Sequence, residues 1–453
     1  MKYHFIAIGG IGMSGLAKYL LEKGFEVSGS DISDSKYINK LRELGAKIYI
    51  GHDEKNVPTG DCKVVVSTAI RSNNPELMKA KELGHKIYHR SDILAELAHD
   101  NKFFIGFSGT HGKTTTSGLA SYVLEKGNYE PSFVVGGIIP EIHTNAQYKN
   151  GKYFTAELDE SDGTILKYRP NVVVINNIDV DHVDFYKNGI DDLAKTFNTF
   201  ISNLSPESVV LINKDDDGVK HLNKTSNMKT YGFSDADYTV KNIEMNKDYS
   251  EFEVIYKEKS LGKFKIQLHG KHNVCNSLAV IAALNESGVD IDKIREYFYG
   301  FTGMGRRFEK VAEFNGITVF DDYAHHPTEI KSTLAAMRSI TDKNIVAVFQ
   351  PHRYTRLQRF WDEFKKAFND ADKIIVTDIY SASEDKIDGI TSENFIKGFE
   401  NAEYLSGSME EVAKKLLPTL KAGDIVIGLG AGTITDLGKN LKKYNEEKSW
   451  TLK

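Results

Sequence analysis

The segment FFIGFSGTHGKTTTSGLASYVLEKG, residues 103–127, constrains the fold of this chain more than any other. It reads as a buried strand, a glycine-bearing loop and a helix. Such a loop directs backbone N–H groups at an anion, and its GKT core supplies Lys113 for nucleotide phosphates and the Thr114 hydroxyl for Mg²⁺. The spacing departs from the usual eight-residue motif, so an ordinary loop that carries GKT by chance is the alternative. The candidate phosphate-binding residues of the loop are Gly109, Thr110, His111, Gly112, Lys113, Thr114 and Thr115.

A second glycine-bearing loop lies near the start of the chain, in FIAIGGIGMSGLAKYLLEKGFEVSGSD, residues 5–31. Gly10, Gly12 and Gly15 have the GxGxxG spacing between a predicted strand and a predicted helix, and Asp31 ends the next predicted strand. Glycines allow close approach to a pyrophosphate, and the acid can accept from a ribose hydroxyl. Any nucleotide diphosphate satisfies these requirements, so an NAD-dependent oxidoreductase is one interpretation.

The composition indicates an ordinary soluble protein of two or three domains, with 453 residues, of which 40% are hydrophobic and 27% charged. The net charge of -5 and the lack of a long basic stretch argue against nucleic acid as a partner. Cys62 and Cys275 follow no metal-ligand spacing. The sequence shows neither a signal-peptide pattern nor eighteen consecutive apolar residues. We therefore expect a cytoplasmic location and no membrane insertion.

Strand-like and helix-like segments alternate along most of the chain, which predicts parallel sheets covered by helices. This alternation begins again after the polar break HDNK and once more after GMGRRFE. Between these breaks, the alternating stretch from YTVKNIEMN to KFKIQLHG predicts antiparallel hairpins. The pattern indicates three α/β units, the middle one with a β insertion.

Further motifs follow the GKT loop in order: AELDESDGT, NNIDVDHVDFY, HGKHNVCNSLA, GMGRRFE, DDYAHHPTE and FQPHRYTR. Together they closely resemble the Mur ligases over nearly the whole chain. The resemblance implies an α/β fold of three domains. These are a Rossmann-like UDP-sugar-binding domain (1–98), a central P-loop ATPase-like domain that binds ATP (99–305) and a C-terminal Rossmann-like amino-acid-binding domain (306–453).

The implied reaction is ATP-dependent joining of L-alanine to the lactyl carboxylate of UDP-N-acetylmuramate through an acyl phosphate, a cytoplasmic step of peptidoglycan precursor synthesis. ATP and Mg²⁺ are the implied cofactors, and a monomer or homodimer is expected. The alternatives are a ligase of the same fold that joins a tripeptide to this sugar nucleotide, and a nucleotide-binding scaffold without catalysis. In the implied reaction Gly10 and Gly12 approach the UDP pyrophosphate, and Asp31 lies near the ribose or uracil.

For the central domain, the resemblance implies that Glu157 binds Mg²⁺ with Thr114, and that His182 binds a second Mg²⁺ ion. Asn273 and Asn276, one helical turn apart, are implied to bind the adenine, although Asn273 could equally cap a helix. An arginine of GRRF is implied to contact ATP. We take Arg307 as this contact, although the sequence does not distinguish it from Arg306.

For the C-terminal domain, the resemblance implies that two strand ends receive alanine and the reaction centre. The candidate residues are Tyr323, His326, His352, Arg353 and Arg356. The fork of an arginine suits the alanine carboxylate. Ala324 stands where the family motif has glycine, which matters only if that position needs a positive φ. The general base is not identified, and the candidate catalytic residues of the whole chain are Lys113, Glu157, His182, His326 and Arg353.

Overall fold

The computed structural model of the chain describes residues 1–180, 185–246, 248–382 and 384–451, with side chains described as far as residue 447. The chain divides into two compact units. The first comprises Met1–Ile243, Glu251–Ile266 and Cys275–Thr302, and the second comprises Glu244–Ser250, Gln267–Val274 and Gly303–Lys453. Among the helices so described, none combines the length and the apolar character that crossing a bilayer requires.

The first unit begins with a five-stranded parallel sheet of order β3-β2-β1-β4-β5. The order reverses between β1 and β4, which is where open α/β sheets bind ligands, outside the carboxyl ends of the strands. Its strands are β1 (Lys2–Ile6), β2 (Glu26–Asp31), β3 (Lys47–Ile50), β4 (Lys63–Val66) and β5 (Ile87–His89). Its helices are α1 (Ile11–Glu22), α2 (Lys36–Glu43), α3 (Pro75–Glu82) and α4 (Arg90–His99).

The central sheet has ten strands in the described residues, in the order β15-β14-β13-β12-β11-β10-β6-β9-β7-β8. Its strands are β6 (Phe103–Ser108), β7 (Ser132–Ile139), β8 (Thr144–Gln147), β9 (Tyr153–Glu157), β10 (Val172–Ile175), β11 (Val209–Asn213), β12 (Met228–Gly232), β13 (Tyr238–Met245), β14 (Ser250–Tyr256) and β15 (Lys259–Ile266). Its helices are α5 (Lys113–Lys126), α6 (Ile190–Ser202), α7 (Lys271–Glu286) and α8 (Ile291–Phe298).

The second unit contains a six-stranded sheet of order β16-β17-β21-β18-β19-β20, antiparallel only between β16 and β17. Its strands are β16 (Glu309–Phe314), β17 (Ile317–Asp322), β18 (Ile345–Phe349), β19 (Lys373–Thr377), β20 (Ala402–Leu405) and β21 (Ile425–Leu429). Its helices are α9 (Pro327–Ile340), α10 (Tyr354–Arg359), α11 (Trp361–Ala367), α12 (Ser392–Ile396), α13 (Met409–Leu416) and α14 (Leu437–Thr451).

The predicted α/β class and the predicted β insertion are confirmed. In the insertion, only Lys257 and Glu258 join β14 to β15, and both have the positive φ that a two-residue hairpin turn favours. The sequence analysis did not anticipate β7 and β8, because glycines interrupt the first and polar residues dominate the second. The pairing of these strands with their neighbours determines their structure more than their own residue patterns do.

The first two sheets share one hydrophobic core. Tyr19 of α1 is fully buried and packs edge-to-face against Tyr148 and against Phe154 of β9. The amide of Asn145 in β8 donates to the Ile11 carbonyl at the start of α1 (2.8 Å). The two sheets therefore form one compact unit. The domain boundaries predicted from the sequence, at residues 98 and 305, stay predictions.

A fully buried carboxylate holds the first sheet together. Glu76 of α3 accepts hydrogen bonds from His4 of β1 (2.9 Å) and Asn56 (3.0 Å) and lies 3.3 Å from the His52 ring. Burial acts to raise the pKa of Glu76, but the hydrogen bonds from His4, Asn56 and Ser30 outweigh it and hold the pKa below its usual value. An ionised Glu76 therefore stabilises the folded state.

We predict that Glu76→Gln lowers the free energy of unfolding at pH 7 by about 3 to 5 kcal/mol, because one partner of a buried charged network is lost. Since the folded-state pKa lies below the unfolded value of about 4.3, the Glu76 contribution is present above that pH and is lost as the pH falls through the folded-state pKa. Urea unfolding at several pH values measures both effects.

The matched control is Glu82→Gln, on the same helix, where the side chain is 67% exposed. We expect it to leave the unfolding midpoint almost unchanged. Equal midpoints for Glu76→Gln and Glu82→Gln at pH 7 would contradict the role assigned to the network.

Candidate active site

The GTHGKTT loop connects β6 to α5, as the sequence predicts. Gly109 (φ +116°) and Gly112 (φ +83°) both have the left-handed backbone that glycine permits. A Cβ on Gly109 would lie 2.9 Å from the backbone nitrogens of Asn176 and Asn177, so the loop packs closely against the end of β10. Gly112 precedes the first helical residue and, having no side chain, leaves the N–H groups at the start of α5 without a side-chain cap. These N–H groups remain suited to an anion.

Polar residues after β10 fix the rest of the loop. The Asn177 amide accepts from the His111 N–H (2.7 Å) and donates to the His111 carbonyl (3.1 Å). The Thr110 hydroxyl donates to the Asp179 carbonyl, and the His111 ring lies 3.2 Å from the Asp179 carboxylate. The sequence analysis assigned no role to the two asparagines of NNID. His182, the predicted ligand of a second Mg²⁺ ion, lies outside the described residues.

Lys113 begins α5 and is held by an acidic segment that follows β9. Its Nζ lies 3.0 Å from Glu160 Oε1 and 2.9 Å from Oε2, and it donates to the Gly109 and Thr110 carbonyls. Burial acts to lower the pKa of Lys113, but Glu160, Asp159 and Glu157 outweigh it and raise the pKa above its usual value. Lys113 is therefore a permanent cation at the loop.

Two carboxylates of this acidic segment were missed by the sequence analysis. Burial raises the pKa of Glu160 to about 7, against the opposing effect of Lys113. Asp159 forms an ion pair with Arg90 (2.7 Å), and Lys113 and Arg90 hold its pKa below the usual range although burial acts in the opposite direction. The cluster of acids in ELDESD was the available signal, but such clusters are also common in solvated turns.

Glu157 and Thr114 lie together, as predicted for a shared cation. The parallel register pairs Glu157 of β9 with Phe107 of β6, just before the loop. The Thr114 hydroxyl donates to Glu157 Oε2 (2.9 Å), and the Gly136 N–H donates to the same oxygen (3.1 Å). A hydroxyl and a carboxylate are hard oxygen ligands of the kind that Mg²⁺ prefers, so this donor pair fits the ion.

The two predicted adenine residues lie on α7. A Cβ on Gly112 would lie 2.7 Å from Asn276 Oδ1, so Asn276 is beside the phosphate loop. Asn273 is in the first turn of α7, where its amide donates to the His269 carbonyl (2.8 Å). The boundary between the two compact units falls within α7, so Asn273 belongs to the second unit and Asn276 to the first.

The loop of the first sheet has the predicted geometry. Gly10 is the N-cap of α1 and has no side chain to cap the helix. The Asp31 carboxylate accepts from the Gly9 N–H (2.8 Å), which brings the acid to the glycine loop. Asn145 stands against Gly15, where a Cβ would lie 2.7 Å from its Nδ2. The third glycine of the motif therefore serves the packing of the two sheets.

In the second unit, the loop after β17 carries Tyr323 and His326. His326 is the N-cap of α9: its ring accepts from the Thr328 N–H (3.3 Å), and the Glu329 carboxylate accepts from the His326 N–H. The ring is buried and packs edge-to-face against Phe360. This capping geometry gives His326 a structural role within its unit.

The two arginines of GRRF make different contacts near this loop. Both guanidinium groups lie about 5 Å from the Tyr323 ring. Arg306 forms an ion pair with Asp321 (3.1 Å) and donates to the Gly430 carbonyl, whereas Arg307 lies 3.8 Å from the Glu329 carboxylate. Arg306 thus contacts the sheet of its own unit, and Arg307 stays the predicted ATP contact.

Asp322, at the end of β17, is a buried carboxylate that the sequence analysis did not single out. It accepts from the N–H groups of Ala324 and Phe308 (2.7 Å each), and burial raises its pKa to about 6. Ala324 is absent from the described non-glycine residues with positive φ. The exchange of glycine for alanine in this motif therefore introduces no backbone strain.

The loop after β18 brings the remaining candidates together. Arg356 donates to His352 Nδ1 (3.1 Å), and the His352 ring stacks on Tyr380 at 5.5 Å. Arg356 is 9% exposed, whereas the Arg353 side chain is 43% exposed and lies 3.8 Å from Glu384. Arg353 has φ +71°, a strained value for a residue with a Cβ. Backbone strain of this kind occurs often at functional sites, so it is compatible with the role predicted for Arg353.

We predict that neutral His352 carries its proton on Nε2. An arginine donates and never accepts hydrogen bonds, so the Nδ1 that faces Arg356 must be the acceptor. Nitrogen chemical shifts of the histidine ring, measured by NMR at pH 7.5, report the tautomer. Arg356→Gln removes this constraint and is expected to shift the tautomer populations, whereas a wild-type Nδ1–H tautomer would contradict the geometry.

The chain matches known proteins along nearly its whole length. Residues 2–102 match the Mur ligase family catalytic domain, residues 107–284 the Mur ligase middle domain, and residues 306–432 the Mur ligase glutamate ligase domain. A UDP-N-acetylmuramate–L-alanine ligase of Carboxydothermus hydrogenoformans is 42% identical over 448 residues, covering 97% of this chain and 96% of the relative. The ligase of the same name from a Sulfurihydrogenibium species is 42% identical over 99% of this chain and 98% of its own length.

Solved structures give the same family. The UDP-N-acetylmuramate-alanine ligase MurC of Thermotoga maritima has a TM-score of 0.85 and 29% identity, covering 99% of this chain and all of that one. A murein peptide ligase of Psychrobacter arcticus shares the fold, with a TM-score of 0.74, 22% identity and 98% coverage of both chains. From three matched domains and relatives of 42% identity over nearly its full length, we conclude that this chain is an enzyme of the Mur ligase family of ATP-dependent amide ligases.

Proposed function

We propose that the chain joins L-alanine to the lactyl carboxylate of UDP-N-acetylmuramate with ATP, in the cytoplasm, as a step of peptidoglycan precursor synthesis, and that it works as a monomer or homodimer. The observation that carries this proposal is the phosphate loop, in which Lys113 is a partly buried cation paired with Glu160 and Thr114 contacts Glu157. The names of the relatives, all alanine ligases at about 42% identity, support alanine as the amino acid.

The proposed reaction has two displacements. The lactyl carboxylate oxygen attacks the γ-phosphorus of ATP, the bond to the ADP oxygen breaks, and an acyl phosphate forms. The alanine amine, after its ammonium has lost a proton, then attacks the acyl carbon and expels inorganic phosphate. The first step builds negative charge on the ADP leaving group, and the second builds it on the acyl oxygen and then on the departing phosphate, so catalysis rests mainly on positioning and charge stabilisation.

In the first unit, Lys113 and the N–H groups at the start of α5 would bind the β- and γ-phosphates of ATP. Thr114 and Glu157 would hold Mg²⁺, which neutralises phosphate oxygens when bound. His182 remains the proposed ligand of a second ion. Asn276, beside Gly112, supports an ATP site here. Asn273 and Arg307 stay proposed ATP ligands on the strength of the family resemblance.

The sugar nucleotide is proposed to bind at the carboxyl edge of the first sheet. Gly10 and Gly12 leave the start of α1 open to the pyrophosphate, and Asp31 lies beside the same loop. Asp31 Oδ2 already accepts from the Gly9 N–H, so the hydroxyl of a ribose would bond its other oxygen.

For alanine, the structure favours Arg353 over Arg356 as the carboxylate ligand, because Arg356 is nearly buried and is committed to His352. Arg353 extends from a strained loop with a larger exposed fraction. Tyr323 and His352 are proposed to line the same site. Because its ring caps α9, His326 is a poor general base. His352, with its proton on Nε2, is a hydrogen-bond donor at that nitrogen.

The test is phosphate release from ATP in the presence of UDP-N-acetylmuramate and, in separate reactions, L-alanine, L-serine, glycine or the tripeptide of the rival ligase. We expect turnover to be highest with L-alanine. Preference for the tripeptide would identify the recycling ligase, and ATP binding without turnover would identify a non-catalytic nucleotide binder. Either result would overturn the proposal.

We predict that Glu157→Gln reduces kcat about 10²- to 10³-fold at saturating substrates while UDP affinity stays near the wild-type value, because a neutral amide is a poor Mg²⁺ ligand. Raising the Mg²⁺ concentration should recover part of the loss. The matched control is Glu125→Gln near the end of α5, where the carboxylate forms an ion pair with Lys149 far from the loop. Wild-type kcat for Glu157→Gln at low Mg²⁺ would contradict the assignment.

A further inference from the structure

Arg90 lies between the glycine-bearing loop of the first sheet and the acidic segment that holds Lys113. It follows β5 directly and is the first residue of α4, at the carboxyl edge of the first sheet. Its Nη2 lies 2.7 Å from Asp159 Oδ2 in the acidic segment after β9. Its Nη1 lies 3.8 Å from the point where a Cβ on Gly12 would stand. One guanidinium group thus faces both the first turn of α1 and the segment that holds Lys113.

The geometry suits an arginine that binds two anions at once. A guanidinium group has five N–H donors in a rigid fork, so its two ends can serve different partners. Asp159 takes one end, and the other end faces the start of α1. The side chain is 29% exposed, which leaves this end within reach of a ligand.

The position within the sheet decides which part of a ligand Arg90 meets. The crevice lies between β1 and β4, with β2 and Asp31 on one side and β5 and Arg90 on the other. A nucleotide with its ribose near Asp31 would cross the start of α1 and reach Arg90 with the phosphate that is more distant from the nucleoside.

We propose that Arg90 binds the phosphate of the UDP-sugar that is farther from the uridine, and that Asp159 positions the guanidinium group for this contact. The assignment rests on the proposed function, because it takes a uridine diphosphate as the ligand of the first sheet. The acidic segment then contacts two ligand-binding residues. Asp159 pairs with Arg90, which binds the sugar nucleotide, and Glu160 pairs with Lys113, which binds ATP.

Calorimetric titration of the full chain with UDP and with UMP tests the contact, because only UDP carries the distal phosphate. The variants are Arg90→Gln, Arg90→Lys and the double variant Arg90→Gln with Asp159→Asn. Lys63→Gln is the matched control, since it removes an ion-paired cation at the opposite, amino-terminal end of β4. Circular dichroism melting confirms that each variant folds.

We expect Arg90→Gln to weaken UDP binding about 10- to 150-fold and to change UMP binding little, as for the loss of a charge-assisted hydrogen bond. Arg90→Lys should also lose UDP affinity, because a single ammonium group cannot reproduce the two-ended fork. The double variant should bind UDP as weakly as Arg90→Gln. Lys63→Gln should bind both nucleotides like the wild type.

Three results would overturn the assignment. Equal weakening of UDP and UMP in Arg90→Gln would mean that Arg90 supports the nucleoside end or the fold. Recovery of UDP affinity in the double variant would mean that Arg90 only neutralises Asp159. Unchanged UDP affinity in a chain with ligase activity would refute this contact alone, whereas a wild-type chain that binds no UDP would refute the proposed function as well.

Discussion

The contact between Lys113 and the buried carboxyl group of Glu160 is the interaction on which the arrangement of the first unit depends. Two charges removed from water are stable only when their remaining hydrogen-bonding capacity is met, and Lys113 meets it with the carbonyls of its own loop. The pair therefore fixes the acidic segment after β9 against the phosphate loop. Because Asp159 precedes Glu160, the same contact brings an anion to Arg90, and through it the first sheet approaches the second.

Parallel strands explain why residues distant in sequence meet. The carboxyl ends of parallel strands lie at one edge, so β6, β9 and β10 bring Lys113, Glu157 and Asn177 to a common place. The same rule applies in the second unit, where β17 and β18 flank β21 and end in the loops of Tyr323 and His352. Backbone N–H groups at these edges bind carboxylates, as for Asp31 and Asp322, and hold the loops ready for ligands.

Histidine and arginine motifs show how far the sequence could assign roles. DDYAHHPTE and PHRYTR mark a site at two strand ends, but they do not say which side chain is committed to the protein. The fold commits His326 to capping α9, Arg306 to Asp321 and Arg356 to His352. Each commitment depends on a partner whose position no local pattern encodes, so the assignment of ligand contacts to Arg353 and Arg307 stays a proposal.

The sequence by itself determined the α/β class, the two glycine-bearing loops and the hairpin insertion, because periodicity and glycine act locally or through a simple rule, whereas the pairing of Thr114 with Glu157 came from the family resemblance. Only the tertiary structure decided the features that depend on contacts between residues distant in sequence. It paired Glu76 with two histidines, placed Arg90 between two loops and fused the cores of the first two sheets. These features join side chains separated by tens of residues, and their stability comes from burial and charge compensation, which exist only once the chain has folded.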